Sequence, residues 1–251
     1  MKIIITGANG TLAPYIIKVL EKEEVDVTIW DRDIIPVDDQ KKIDAFIDQV
    51  KPDYFLHIAT GPLDWVKEIV RTVKRHHIPL LFTSTVSVFS DNQSGPFDVD
   101  TKPLSESDYG LYKQACEDYI TREYGGYSVI LRLGWQIALE PVKNNMLAYL
   151  VNEHHVDAST SFIPATSFMH ESAKVIVDLL EDFSPGLYQF DQNIDDWSFY
   201  EIASKLKELF DLDIEITKVD EPVINSRMIN NGIKEKSLEE TMSKLKEAVK
   251  K

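Results

Sequence analysis

Lys2-Ile3-Ile4-Ile5-Thr6-Gly7-Ala8-Asn9-Gly10-Thr11-Leu12-Ala13 follows the initial methionine, and its reading sets the fold class. Residues 2–6 are an apolar, largely β-branched run, the pattern of a central parallel strand buried on both faces. A glycine-bearing turn comes next. Residues 12–23 then place Leu12, Ile16, Val19 and Leu20 on one helical face. Pro14 falls in the first turn, where a missing N–H costs nothing. A strand running through a tight glycine turn into a helix leaves the helix N-terminus facing whatever anion binds there. Gly7 allows the turn, Gly10 lets backbone approach a phosphate, and Ala13 is small enough for close helix–strand packing. Gly7, Asn9, Gly10, Thr11 and Leu12 are therefore candidate contacts for the pyrophosphate of a dinucleotide. An ordinary βα turn uses the same glycines, but their position after a first buried strand favours the binding loop.

Outward from this stretch, strands and helices alternate. Strands are expected over residues 25–30, 54–59, 80–84 and 127–133. Helices are expected over 43–50, closed before Pro52, over 65–76, and over 109–124, stopped by Gly125-Gly126. Alternation of this kind gives right-handed βαβ units and a doubly wound, Rossmann-type parallel sheet in an α/β protein. Later, helices are expected over 144–151, 171–181 and 198–210, with short strands over 187–190 and 214–217. Ser198 with Glu201, and Ser237 with Glu240, have capping-box spacing. Segment 234–251 reads as a charged amphipathic helix docked by a narrow apolar stripe. The expected division is a dinucleotide-binding domain, 1–135, and a smaller C-terminal α/β substrate lobe, 136–251, interleaved with the first.

The 251 residues are 43% hydrophobic and 27% charged, a composition that excludes a mainly disordered chain, a collagen-like fibre or a coiled coil. With 27 basic and 42 acidic residues the net charge is −15. Such a surface repels phosphate backbones and anionic lipid, so neither nucleic acid nor membrane is an expected partner. Cys116, the single cysteine, cannot form an intrachain disulfide or a zinc cluster; it reads as a small buried apolar residue. The N-terminal apolar run is too short for a signal segment or a spanning helix, and the expected location is the cytoplasm.

Asp31 follows the second expected strand, where a carboxylate can bind both hydroxyls of an adenosine ribose and disfavour a 2′-phosphate. Arg32 beside it could neutralise that repulsion, so NAD is preferred and NADP tolerated. In Tyr109-Gly110-Leu111-Tyr112-Lys113, Tyr109 and Lys113 lie one helical turn apart on the same face. An ammonium near a phenol favours the phenolate and lowers its pKa. A phenol so tuned can protonate a carbonyl oxygen that receives hydride. Tyr-x-x-x-Lys also occurs as a plain surface pair. Its weight comes from Thr83-Ser84-Thr85 at the end of the fourth expected strand, the edge where doubly wound sheets bind ligands.

Taken in order, these motifs resemble the extended short-chain dehydrogenases/reductases, the NAD-dependent epimerase/dehydratase group, and within it most nearly the dTDP-4-dehydrorhamnose reductases. The likeness runs through residues 6–13, His57-Ile58-Ala59, Ser84-Thr85 with Val88-Phe89, and 109–113. It continues through Glu117, Arg132-Leu133-Gly134-Trp135, Phe168-Met169-His170-Glu171 and Gly186-Leu187-Tyr188. It implies an NAD(P)-dependent oxidoreductase reducing a keto group of a nucleotide-linked sugar, and a homodimer. By the same resemblance Tyr109 is the general acid, Thr85 bonds the substrate carbonyl, and Lys113 holds the nicotinamide ribose. Ile58, Ala59 and Tyr109 itself join Asp31, Arg32 and Lys113 among the cofactor contacts, and Ser87 and Trp135 line the sugar site with Thr85.

Departures fall on the substrate side. The stretch between Ala59 and Thr85 is short for the family, and Ser87 stands where the reductases carry an aromatic. No Arg-Pro motif is recognisable around Ser226-Arg227-Met228, and the C-terminal lobe reads as abbreviated. Two alternatives stay open: an epimerase or dehydratase using the same trio, and a dinucleotide-binding regulatory subunit without turnover.

Overall fold

A computed structural model describes residues 1–141, 143–234 and 236–249. In chain order the first elements are β1 (Lys2–Ile5), α1 (Ala13–Lys22), β2 (Asp26–Ile29), α2 (Gln40–Val50), β3 (Tyr54–His57), α3 (Leu63–His76), β4 (Leu80–Thr85), α4 (Asp108–Tyr124) and β5 (Ser128–Leu133). They continue with β6 (Trp135–Ile137), α5 (Met146–Glu153), β7 (His155–Ser159), β8 (Phe162–Ile163), β9 (Thr166–Phe168), α6 (Met169–Glu181) and β10 (Gly186–Phe190). Last come α7 (Phe199–Phe210), β11 (Glu215–Val219), β12 (Ile224–Asn225) and α8 (Leu238–Val249). Residues 250–251, the end of the expected terminal helix, lie outside the described residues. No described helix is long and apolar enough to cross a membrane.

Six strands form the main sheet in the order β10-β5-β4-β3-β1-β2, the Rossmann-type arrangement. β1 pairs in parallel with β2 on one side and β3 on the other, and β3 with β4. The direction of winding therefore reverses between β1 and β3, which opens a crevice at their carboxyl ends. The apolar runs behave as expected of central strands: Ile3, Ile4 and Ile5 are wholly buried, as are Phe55 and Leu56. β2 is at the sheet edge and only partly buried, so its pattern is less continuous.

By contact the chain divides into two compact units. The first is Met1–Thr85, Asp108–Arg132 and Ala173–Leu187; the second is Val86–Ser107, Leu133–Ser172 and Tyr188–Lys251. In the first, Trp30, Phe55, Trp65 and Cys116 share one buried core with Ile43 and Ile120. Trp30 meets the rings of Phe46, Phe55 and Trp65 edge-on. α4 is fixed to β5 by a buried ion pair: the Arg132 guanidinium donates from Nη2 to Glu117 Oε2 at 2.6 Å and from Nε to Oε1 at 3.0 Å.

The second unit packs α7 and α8 around Phe168, Phe199, Ile202, Leu206 and Leu238. Its sheets are three parallel pairs, β11 with β7, β12 with β8 and β6 with β9. Ser198 and Glu201 form the expected capping box at the start of α7, and Ser237 Oγ accepts from Glu240 N–H at 3.1 Å. Asp191, wholly buried, ties this unit together. One carboxylate oxygen accepts from the amides of Thr166 and Asn193, and the other from Arg227 Nε and the Met228 amide.

Candidate active site

The site begins where β1 and β3 end. Thr6 is buried, and its hydroxyl oxygen accepts from the amides of Ile58 and Ala59 at 3.0 and 3.1 Å. The same oxygen lies 3.0 Å from His57 Nδ1. One threonine thus pins the loop after β3 to the loop after β1. Gly7 has φ +83°, and a Cβ there would lie 3.0 Å from the Ala59 nitrogen, so only glycine fits the turn. The Gly7 carbonyl accepts from the Gly10 amide at 2.7 Å, closing the loop. His57 is fully enclosed, and that burial holds its pKa well below the usual imidazole value.

The loop leads to a helix end suited to a dinucleotide. α1 has no side-chain N-cap and no acid in its first turn. Each other described α-helix has one or the other, as with Asp39 on α2, Asp64 on α3, Asp108 on α4, Asn145 on α5 and Glu171 on α6. The positive end of α1 therefore has no compensating charge in its own first turn. Gly7, Asn9, Gly10, Thr11 and Leu12, the residues expected from the sequence to hold a pyrophosphate, form this loop and lead into α1, and Ile58 and Ala59 are tied to it through Thr6.

After β2 the chain turns at Asp31, whose Oδ1 accepts from the Asp33 amide at 2.9 Å. Arg32 Nη2 donates to the Thr60 carbonyl at 2.6 Å, and its guanidinium lies over the Trp65 ring, 4.6 Å from the centroid. Arg32 is thus directed at the β3–α3 loop, a connection that sequence spacing alone did not disclose.

Thr85, Tyr109 and Lys113 come together. Thr85 is the last residue of β4 and is buried; its side chain hydrogen-bonds that of Tyr109 in the first turn of α4. Tyr109 is 46% exposed, but protein atoms crowd its hydroxyl. That burial raises its pKa above the usual phenol value, and the Thr85 bond opposes the rise. Lys113 is 2% exposed, and its ammonium donates to the Thr83 carbonyl at 2.8 Å. It sits 4.5 Å from the Phe82 ring centroid and 6.0 Å from that of Tyr109. The expectation that Lys113 lowers the Tyr109 pKa is corrected: the ammonium is spent on a carbonyl and an aromatic face, and desolvation wins. Desolvation also brings Lys113 itself down to about 8. In this state Tyr109 is a protonated phenol, the form a general acid needs.

Ser87 and Trp135 belong to the second unit. Both line a pocket of about 440 Å³ with Phe97, Phe162, Asn225 and Ser226. Trp135 stacks on Phe199 with centroids 5.5 Å apart, and its amide donates to the Ala165 carbonyl at 2.8 Å. That contact needs Gly134, where a Cβ would fall 2.2 Å from the same carbonyl oxygen. Arg227, near which no family motif was legible, has a defined place: it is paired with Asp191 and Asp196.

A family model described as the NAD dependent epimerase/dehydratase family matches residues 3–158. No curated protein matches the sequence. Among solved structures, a dTDP-4-dehydrorhamnose reductase from Clostridium acetobutylicum is 18% identical with a TM-score of 0.85, over 100% of each chain. The enzyme of that name from Bacillus anthracis, in complex with NADP, is 18% identical with a TM-score of 0.84, over 100% of this chain and 99% of that one. A UDP-N-acetylglucosamine 4-epimerase from Bacillus cereus is 17% identical with a TM-score of 0.80, over 100% of each. At these identities the likeness is one of fold.

Proposed function

The chain belongs to the NAD dependent epimerase/dehydratase family, and from that premise we propose that it reduces a keto group of a nucleotide-linked sugar with Tyr109 as the general acid. Family and fold carry NAD(P)-dependent oxidoreductase or epimerase chemistry; the substrate and the roles of the residues are our reading. The observation that supports it is the Thr85–Tyr109 side-chain hydrogen bond, which sets a strand-end hydroxyl beside a protonated phenol; in this reading the two share one substrate oxygen.

The nicotinamide, when bound, supplies hydride to the carbonyl carbon. As that carbon is reduced, negative charge grows on the oxygen, and Tyr109 transfers its proton there. Thr85 donates to the same oxygen and holds it toward the phenol. Lys113, anchored on the Thr83 carbonyl, offers its remaining N–H groups to the nicotinamide ribose. Ser87 and Trp135 line the pocket proposed for the sugar.

The test is turnover of dTDP-4-keto sugars followed by loss of nicotinamide absorbance. Tyr109→Phe is expected to slow it by roughly 10²–10⁴-fold, the range for a lost general acid, a loss far larger than any change in coenzyme affinity. Full turnover by Tyr109→Phe removes the assigned role. Interconversion of sugar epimers without net coenzyme oxidation identifies the protein as an epimerase instead.

A further inference from the structure

We propose that Asp191, which does not itself line the pocket of about 440 Å³, is a positioning residue for it: one buried carboxylate fixes two stretches of the lining and so sets affinity for the sugar nucleotide. The inference rests on the reading above, in which this pocket takes the sugar.

Every residue lining the pocket belongs to the second unit. One stretch of the lining is Trp135 with Pro164 and Ala165, and another is Ile224, Asn225 and Ser226. Asp191 bonds the residues that adjoin both. Its Oδ1 accepts from the Thr166 amide at 3.0 Å, one residue beyond Ala165. Thr166 in turn donates from its hydroxyl to the Trp135 carbonyl. Its Oδ2 accepts from Arg227 Nε at 2.6 Å and from the Met228 amide at 3.0 Å, immediately after Ser226. The Arg227 carbonyl then accepts from the amide of Phe97 at 2.7 Å, and Phe97 is also in the lining. The two stretches meet where the Ala165 amide donates to Ser226 Oγ at 3.3 Å, so their spacing depends on anchors to either side of that contact.

All four groups that bond the carboxylate are N–H donors, the fourth being the Asn193 amide, 2.8 Å from Oδ1. An ionised carboxylate accepts on both oxygens, whereas an asparagine amide offers one acceptor and one NH₂. Whichever way that amide is turned, its NH₂ meets two donors, either Thr166 and Asn193 or Arg227 and Met228. One stretch of the lining then loses its anchor. The backbone of Asp191 is held separately: Asn230 Oδ1 accepts from its amide at 2.8 Å, and Asn230 Nδ2 donates to its carbonyl at 2.9 Å. Asp191→Asn therefore releases the side-chain anchor and leaves the main chain after β10 held.

Contacts to parts of a substrate that do not react hold ground state and transition state alike, so their loss raises KM and spares kcat. A purely structural role leaves a different signature. Protein that is partly unfolded lowers the apparent kcat and leaves KM where it was.

The experiment is steady-state turnover of a dTDP-4-keto-6-deoxyhexose by the intact protein, on wild type, Asp191→Asn, Arg227→Lys and Asp196→Asn, with folding followed by circular dichroism. In Asp191→Asn, KM should rise roughly tenfold, the scale of two lost hydrogen bonds, with kcat within about twofold of wild type. Asp196→Asn removes the exposed partner of Arg227 and spares the carboxylate, so its KM should stay within about twofold. Arg227→Lys carries the test if Asp191→Asn does not fold. Its ammonium is a single point donor where the guanidinium serves both Asp191 and Asp196, and KM should rise roughly threefold. An unchanged KM in the folded Asp191→Asn or Arg227→Lys protein overturns the proposal, whatever happens to kcat, as does an equal rise in Asp196→Asn. Wild type that turns over no 4-keto sugar refutes the reading beneath this inference and takes the inference with it. That outcome is read on wild type alone and is distinct from an unchanged KM in the variants.

Discussion

Lys113 shows how one buried charge can cost the fold. An ordinary lysine titrates near 10.5, and burial brings this one down to about 8. Below pH 8 it is charged in both the folded and unfolded chain, and the folded protein bears the full cost of a buried ammonium. Between about 8 and 10.5 the unfolded chain holds more protons at this position than the native one. Stability contributed by this group therefore rises with pH across that window. Cys116 acts in the opposite direction, since burial raises its thiol, so the informative quantity is a difference between proteins. Urea midpoints of wild type should gain on those of Lys113→Met from pH 7.5 to 9.5, and parallel curves would exclude the buried charge as the cause. The same burial explains why the sequence misjudged Tyr109. Spacing of four residues puts Tyr109 and Lys113 on one helical face, but spacing does not say where a long flexible ammonium points. Here it points at Thr83 and Phe82.

Elements with a period were legible, and elements without one were not. The apolar run of β1, the helical stripe of α1 and the capping box of α7 are repeats or short-range signals, and they appear within a residue or two of their expected bounds. β8 and β12 have two residues each and β6 and β9 three, too few for alternation to register. β6 depends instead on Gly134, whose missing Cβ admits the Ala165 carbonyl. Gly134→Ala should cost about 1–3 kcal/mol, as forced overpacking does, and should shift tryptophan emission as Trp135 moves. An unchanged denaturation midpoint would mean that Ala165 yields without cost. The start of α1 admits a sharper test. Pro14→Glu places a carboxylate in a first turn that has none, a favourable change for the helix alone by about 0.3–1 kcal/mol. The same carboxylate competes with a pyrophosphate for that helix end. NADH affinity should fall roughly three- to tenfold, about 0.7–1.4 kcal/mol, with no loss of thermal stability. Unaltered affinity would place the pyrophosphate away from α1.

At the scale of the whole molecule, long-range pairs and net charge act against each other. Glu117–Arg132 and Asp191–Arg227 each join residues distant in sequence, and both pairs are buried; composition and local pattern hold no sign of who meets whom. Surface pairs such as Arg71 and Arg75 with Asp44 contribute about 0–1 kcal/mol each. Against them stands the self-repulsion of a chain with 42 acids and 27 bases, which opposes the compact state. Salt weakens the surface pairs and the repulsion alike, while buried pairs are screened far less. Fifteen uncompensated negative charges outweigh a few weak exposed pairs, so the net effect of screening has a definite sign. Raising sodium chloride from about 0.01 M to about 0.15 M shortens the screening length from about 30 to about 8 Å. The thermal midpoint at neutral pH should rise over that range, most steeply at the low end. Lys substitutions of exposed acids, for example Asp38→Lys and Glu153→Lys together, should flatten the dependence by lowering the net charge. A midpoint that falls with salt would mean that surface pairing, not repulsion, dominates the electrostatics of this fold.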